Sequence, residues 1–504
     1  MTSATIGVER IKTGMSGIDS ITGGGLPKGR STLVAGTSGS AKTVFAVQFL
    51  VEGIRQFDEG GVFVTFEEKP EDLRKNVIGF GWQVADWERD KKWLFVDASP
   101  RSREKSTVMG EYDFGALVAR IEYAVKTVNA KRVALDSLGA IFAQFTDIDA
   151  VRSELLRLTE ALKEMGVTSV VTVERTADHG DISRHGVEEF VTDNVLILRN
   201  SLDNEKRRRT IEILKLRGTD HSKGEFPFTV IRDEGIIANP LSAIELKQKS
   251  SDARVSTGVP DLNEMSGGGF FRDSVVLVSG ATGTGKTLMV TQFLATGGKA
   301  EERRLLFAFE ESREQLFRNA RGWGFDFEKL ERDGLLKVHC VYPEVKGLEE
   351  HLVDIHNMIR DFKPHRVAID SLSALERVGT LKSFREFVIG LTSYIKTAEI
   401  CGVFTSTTPS LMGGTSITEA HISTITDTII LLRYIELFGE MRRGLTVLKM
   451  RGSSHDKEIR DLTIDNTGMH IGKPFRNVTG IFAGTPNYLD NEELGRLASV
   501  FAED

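Results

Sequence analysis

A chain of 504 residues is too long for one hydrophobic core and suits two or three domains. Hydrophobic residues at 40% and charged residues at 27% exclude wholesale disorder, and a formal net charge of -7 argues against a protein that coats nucleic acid. The two cysteines, Cys340 and Cys401, lie in apolar stretches without metal-ligand or redox spacing, and no apolar run reaches the length of a membrane span, so a reducing cytoplasm is the expected compartment.

In chain order, the apolar run Arg30-Ser-Thr-Leu-Val-Ala35 predicts a buried strand, and the apolar spacing after Lys42 predicts a helix. Between them lies Gly36-Thr-Ser-Gly-Ser-Ala-Lys42-Thr43. A glycine-rich loop in that position turns successive backbone N–H groups toward a β-phosphate, with a lysine on the β/γ oxygens and a hydroxyl on Mg²⁺. Ala41 stands where a glycine normally precedes the lysine. If the backbone there is left-handed, the methyl group costs on the order of 1 to 2 kcal/mol. Gly61 to Glu68 predicts a strand closed by the acids Glu67 and Glu68. Arg132-Val-Ala-Leu-Asp136 ends on a carboxylate placed either to hold Mg²⁺ beside a phosphate loop or to cap a helix. Glu154 to Met165 carries Leu155, Leu158, Leu162 and Met165 at helical spacing, and after Asp193 the pattern turns strand-rich.

The same markers return in the same order. Arg10-Ile-Lys-Thr-Gly14 answers Arg254-Val-Ser-Thr-Gly258, and the loop answers Gly280-Ala-Thr-Gly-Thr-Gly-Lys286-Thr287 after Ser274-Val-Val-Leu-Val-Ser279. Glu67-Glu68 answers Glu310-Glu311, Asp136 answers Asp370, and Lys215 with Arg217 answers Lys449 with Arg451. The expected architecture is α/β, with two duplicated domains at 1–246 and 255–476. Each is a mostly parallel sheet flanked by helices, with an antiparallel extension. A polar linker at 247–254 joins them, and an acidic tail occupies 477–504.

In each pair of acids, neighbouring strand residues point to opposite faces, so one acid serves as base near the γ-phosphate and the other turns toward metal or backbone. The pairs Lys215/Arg217 and Lys449/Arg451 share a strand face, and read either as a solvated edge or as fingers for the γ-phosphate of a neighbouring subunit. Arg207-Arg208-Arg209 and Arg442-Arg443 face either nucleotide or solvent. Aligning Asp193 with Asp427 sets Glu189 and Phe190 against Ser423 and Thr424, so only the second half offers adjacent hydroxyls there.

Tandem P-loop NTPase domains of RecA-like type, paired glutamates in both, and His421-Ile-Ser423-Thr424-Ile-Thr-Asp-Thr428 resemble the KaiC family, the ATPases and autokinases of the bacterial circadian clock, from about Arg10 to Arg476. The resemblance implies a homohexameric double ring with ATP and Mg²⁺ between subunits. It implies a slow ATPase in the first ring, and autokinase and autophosphatase activity in the second. It makes Glu67, Glu68, Glu310 and Glu311 the catalytic acids, with Glu67 and Glu310 as bases, and gathers Thr43, Asp136, Thr287, Glu311 and Asp370 around Mg²⁺. It makes Ser423 and Thr424 phosphoacceptors, with Thr418 as an accessory hydroxyl. ATP contacts implied in the first half are Gly36, Thr37, Ser38, Gly39, Ser40, Ala41, Lys42, Thr43, Lys215, Leu216, Arg217, Thr219 and His221. Those in the second are Thr282, Gly283, Thr284, Gly285, Lys286, Thr287, Trp323, Arg443, Lys449, Met450, Arg451, Ser453, His455 and Lys457. KaiB is the implied partner. The tail that recruits KaiA in the family diverges here after Phe475-Arg-Asn477, which leaves dependence on KaiA open. A KaiC-like signalling hub without a daily rhythm keeps the same fold. A RecA-like DNA motor is the remaining alternative, opposed by the acidic balance and the lack of a basic, aromatic-rich loop.

Overall fold

The computed structural model describes residues 8–99, 114–142, 148–183, 186, 188–203, 206–238, 250–296, 301–408, 422–476, 478–481 and 487–488. The chain divides into two compact units, 1–244 and 245–504. Thr418, His421, residues 247–249 of the expected linker and most of the expected tail lie outside the described residues. Arg254, the last residue of the expected linker, is built into the second unit: its guanidinium donates to the Gly269 carbonyl at 2.8 Å and stacks on Phe271.

Each unit is built on one nine-stranded sheet. Numbering only the strands of these two sheets, the first contains β1 (Ser31–Gly36), β2 (Gly60–Thr65), β3 (Trp93–Asp97), β4 (Ala130–Asp136), β5 (Thr168–Glu174), β6 (Asn194–Asp203), β7 (Lys206–Leu216), β8 (Glu225–Ile231) and β9 (Gly235–Ala238). The second contains β10 (Val275–Gly280), β11 (Arg304–Ala308), β12 (Leu336–Cys340), β13 (Arg366–Asp370), β14 (Cys401–Thr407), β15 (Thr428–Leu437), β16 (Glu440–Met450), β17 (Arg460–Asp465) and β18 (Gly468–Pro474). The spatial orders are β9-β8-β7-β6-β1-β5-β4-β2-β3 and β18-β17-β16-β15-β10-β14-β13-β11-β12. Neighbours are parallel from β6 to β3 and from β15 to β12, and antiparallel from β6 to β9 and from β15 to β18. This is the expected parallel sheet with an antiparallel extension, in both halves.

The central strands β1 and β10 are buried at every position because both faces are covered. Val34 packs with Phe45, Phe49 and Leu50 of helix α1 (Lys42–Phe57) on one face of the first sheet. Leu33 and Ala35 point the other way, onto Ile121 of α2 (Phe114–Val128) and Leu155 and Leu158 of α3 (Ile148–Glu164). The second sheet repeats the division: Val276 and Val278 face α4 (Lys286–Ala295), while Val275 and Leu277 face α5 (Leu348–Phe362) and α6 (Leu381–Thr397).

Arg132 and Arg366, legible in the sequence only as repeat markers, are fully buried. A buried guanidinium is tolerable only when paired and hydrogen-bonded. Arg132 donates to Glu59 at 2.7 Å, to the Phe49 carbonyl at 2.9 Å and to the Lys12 carbonyl at 2.8 Å. Arg366 matches it on Glu302, the Phe293 carbonyl and the Ser256 carbonyl. Each arginine thereby ties the entry segment of its unit to the phosphate-loop helix and the sheet.

Candidate active site

The parallel strands end together, and the crevice at their carboxyl ends is where such sheets bind ligands. In each unit the phosphate loop leaves the central strand there. Gly39 and Gly283 have φ of 74° and 82°, and the residue before the lysine is left-handed in both loops: Ala41 at φ 74°, ψ 28° and Gly285 at φ 109°, ψ 16°. The alanine therefore occupies the strained conformation, not a helical one. Lys42 Nζ donates to the carbonyls of Gly36 and Thr37, and Lys286 Nζ to those of Gly280 and Ala281, all at 2.9 to 3.0 Å. Burial, countered by neighbouring carboxylates, lowers both lysine pKa values; Glu174, Asp136 and Glu67 face Lys42, and Asp370 and Glu310 face Lys286. Ser40 and Thr284 are buried within the loops, and Thr37, Ser38 and Thr282 flank them.

Thr43 Oγ1 donates to Asp136 Oδ2 at 2.7 Å, and Asp370 likewise accepts from Thr287. A hydroxyl this close to a strand-end carboxylate is an oxygen pair of the kind that would hold Mg²⁺, directly or through water. Thr172 donates to the other oxygen of Asp136, and Thr405 to Oδ1 of Asp370, which fixes the orientation of each carboxylate. Asp370 is held above the usual carboxylate range by burial, partly offset by its hydroxyl donors and Lys286.

The paired acids sit past the strand ends, since β2 stops at Thr65 and β11 at Ala308, so alternation along a strand does not separate their roles as expected. Side-chain partners do. Glu67 accepts from Ser137 Oγ at 3.1 Å and Glu310 from Ser371 Oγ at 3.2 Å, which keeps them beside Asp136 and Asp370. Glu68 and Glu311 are drawn aside by Asn76 and Asn319 at 3.1 and 3.2 Å. Burial and the Asp370 charge push Glu311 up. Glu310 also meets the Arg377 guanidinium at 3.2 Å. Sequence reasoning missed that contact because Arg377 belongs to no motif.

The remaining predicted ligands divide between the two ends of the sheet. Arg209 and Arg443, on β7 and β16, reach their own phosphate loops through the carbonyls of Gly39 at 3.1 Å and Gly283 at 3.3 Å. Arg442 turns instead to Asp461, whereas Arg207, bonded to the Asn200 carbonyl, lines a cavity with Thr37 and Ser38 of the loop. Trp323 caps the helix Arg313–Gly322 of the second unit.

Lys215, Arg217, Lys449 and Arg451 lie at the opposite end. Arg217 and Arg451 fall just beyond the strands, so a shared strand face is not what aligns each pair. What aligns them is a common turn. Lys215 Nζ donates to the Glu189 and Thr192 carbonyls at 3.1 and 2.7 Å; Lys449 Nζ donates to the Ser423 and Thr426 carbonyls at 2.9 and 2.7 Å. Arg451 adds a 3.0 Å bond to the Thr424 carbonyl. The structure thus sets Glu189 and Ser423 in equivalent places, as the alignment expects. Ser423 is half-buried and Thr424 exposed on a short 3-10 turn, Ile422–Thr424. Burial, reinforced by the adjacent arginine, lowers the pKa of both lysines.

Near this end, Leu216 and Met450 point their side chains into the cores, which leaves only their backbones for ligand. Ser453 accepts from Arg254 at 2.8 Å, His221 Nδ1 lies 3.1 Å from the Ser222 carbonyl, and Thr219, His455 and Lys457 follow on the adjoining loops.

A family model described as "ATPase: KaiC" matches residues 11–242 and again 255–475. The circadian clock protein KaiC3 of Synechocystis is 65% identical over 499 residues, 99% of this chain and 99% of that protein. The circadian clock oscillator protein KaiC of Thermostichus vulcanus is 55% identical over 493 residues, 98% of this chain and 95% of its own. KaiC 1 of Synechocystis is 54% identical over 494 residues, with the same coverage. Two phosphate loops with matching hydroxyl, aspartate and glutamate partners, in two units that the family model covers almost end to end, place this chain in the KaiC family of ATPases.

Proposed function

We propose that the protein hydrolyses Mg-ATP in both units and that its second unit is a serine/threonine autokinase and autophosphatase, acting between subunits of a homohexameric ring in a circadian-type timing system. The observation that carries this reading is a separation. The phosphate loop follows Gly280 at one end of β10, whereas Asp427, which leads from the Ser423-Thr424 turn, bonds Val275 at the other end. Five strand steps span about 17 Å. A chain's own γ-phosphate is therefore out of reach of its own hydroxyls, and a neighbouring subunit in a ring supplies the donor.

In that composite site Glu310 takes the proton of the Ser423 or Thr424 hydroxyl as its oxygen attacks the γ-phosphorus. The bond from γ-phosphorus to the β–γ bridging oxygen breaks, and ADP leaves with the electron pair. Thr287 and Asp370, with Glu311 alongside, would hold Mg²⁺, which would supply charge neutralisation. Lys286 and the acceptor subunit's Lys449 and Arg451 stabilise charge on the transferring group, which needs placement and electrostatics more than covalent chemistry. The same geometry run backward returns the phosphoryl group to ADP. In the first unit Glu189 and Phe190 occupy the acceptor positions, so water, oriented by Glu67, is the nucleophile. No helix among the described residues is long and apolar enough to cross a membrane. A cytoplasmic location accompanies this reading, with a KaiB-like partner on the first ring; nucleic acid has no role in it.

The test is complementation with phosphosite mapping by mass spectrometry. Lys286→Ala and the double variant Ser423→Ala/Thr424→Ala are each expected to stay unlabelled with Mg-ATP. Mixed and reassembled, they are expected to acquire phosphate on the Lys286→Ala chain alone. A parental protein that labels while the mixture stays blank overturns transfer between subunits, and a parental protein blank at both sites overturns the autokinase.

A further inference from the structure

We propose that Lys396 is a positioning residue for phosphoryl transfer, fixing the Ser423-Thr424 turn through Asp427; the inference rests on the autokinase reading above.

Asp427 is the anchor of the turn. Its backbone N–H donates to the Val275 carbonyl at 2.9 Å, its carbonyl accepts from the Arg451 N–H at 3.0 Å, and its Oδ2 accepts from the Val275 N–H at 2.9 Å. The other carboxylate oxygen meets Lys396 Nζ, in the last turn of α6, at 2.7 Å, with both side chains largely buried. Arg451 NH1 stands 4.0 Å from that same oxygen, while its NH2 holds the Thr424 carbonyl at 3.0 Å. Two cations thus compete for one carboxylate oxygen, and Lys396 has it. Its occupancy keeps the Arg451 guanidinium on the acceptor turn.

The comparison between units points the same way. Matching α3 to α6 end to end, with Thr172 on Thr405, sets Lys163 where Lys396 stands, but Lys163 is exposed and makes no ion pair with Asp193 among the described residues. In the first unit Arg217 accordingly pairs directly with Asp193 at 3.4 Å. That unit keeps the aspartate and both finger cations, yet carries Glu189 and Phe190 in place of hydroxyls. Both units thus carry the lysine, and among the described residues it is the unit with the acceptor hydroxyls in which the lysine, and not the arginine, holds the aspartate. Without Lys396 the Arg451 guanidinium is expected to swing to Asp427, as Arg217 does to Asp193, and release Thr424.

Lys396→Met keeps the length of the side chain and removes its charge. Labelling of Ser423 and Thr424 at saturating Mg-ATP is expected to fall about tenfold, with the KM for ATP within twofold and total ATP hydrolysis little changed, since most of the hydrolytic machinery is untouched. Lys396→Arg is expected to restore most of the rate. Adding Asp427→Asn to Lys396→Met is expected to recover part of it, because no carboxylate remains to draw Arg451 away. A purely structural lysine would lower labelling and ATP hydrolysis together and would not be relieved by the second change. Parental-rate labelling by Lys396→Met, or a rise in KM with kcat intact, overturns the inference while leaving the autokinase standing. A parental protein without phosphate at either site overturns both.

Discussion

The left-handed Ala41 offers a quantitative test of how the two phosphate loops differ. At φ 74° and ψ 28° its Cβ crowds the following carbonyl, at a cost of about 1 to 2 kcal/mol, which Ala41→Gly removes. Two terms oppose the gain. The glycine frees the unfolded chain by about 0.4 to 1 kcal/mol. A methyl group half-buried against the α1 core loses about half of the roughly 0.8 kcal/mol that full burial of such a group contributes. Taking midpoints, Ala41→Gly is expected to stabilise the first unit by about 0.4 kcal/mol. The converse change regains the entropy term but meets crowding that Ala41 does not. A Cβ on Gly285 would lie 2.9 Å from Ile464 Cδ1 and 3.2 Å from Met469 Cε, so strain and crowding add, and Gly285→Ala is expected to destabilise the second unit by about 1 to 2 kcal/mol. The assay is urea unfolding of both variants without nucleotide, with each unit's transition resolved, and ATP titration of the first site alongside. Strain present with and without ligand cancels in the binding equilibrium, so ATP affinity at Ala41→Gly is expected to stay within about twofold. A loss of more than 1 kcal/mol at Ala41→Gly, or no loss at Gly285→Ala, would refute the strain argument.

Further expectations concern the base, the buried arginines and a buried histidine. Glu310→Gln keeps the Ser371 contact but cannot take the proton, and labelling of Ser423 and Thr424 is expected to fall about 10²-fold or more; mass spectrometry showing the parental rate would remove the base assignment. Arg366→Met leaves Glu302 and two carbonyls short of a buried donor, at about 3 kcal/mol or more of second-unit stability by urea midpoint, and a loss under 1 kcal/mol would show that water replaces the guanidinium. His356 stacks on Tyr394 with ring centroids 3.9 Å apart, its Nε2 finds no partner among the described residues, and burial drops its pKa to about 4. A lowered histidine pKa means that the unfolded chain binds the proton first, so the contribution is intact above pH 6.5 and is lost as pH falls toward 4. Between pH 7 and pH 5 that loss is about 2 kcal/mol. His356→Phe is expected to flatten this part of the stability profile, and an unchanged slope would exclude His356 as its source.

Much of this molecule is legible in its sequence because the features are local. A β-branched run, a glycine loop and a lysine–threonine pair specify strand, turn and helix within about twenty residues, and their ordered recurrence establishes two copies. The same applies to Asp136 and Asp370 at strand ends, and to the offset that sets Glu189 against Ser423. Where local pattern was taken further, the structure corrected it. Glu67 and Glu310 lie beyond their strands, and Lys215 and Arg217 converge through a shared turn. Those outcomes depend on where pairing stops, which is set by the neighbouring strand and not by the segment itself.

The sequence by itself determined two nucleotide-binding α/β units and one hydroxyl pair. Only the tertiary structure decided that this pair and its cations stand at the far end of the sheet from their own phosphate loop, that Ala41 is left-handed, and that Lys396 rather than Arg451 holds Asp427. Each of these is a contact or a backbone state imposed by elements distant in the chain. Periodicity fixes which face of an element is buried, but it carries no information about which remote partner that face will meet.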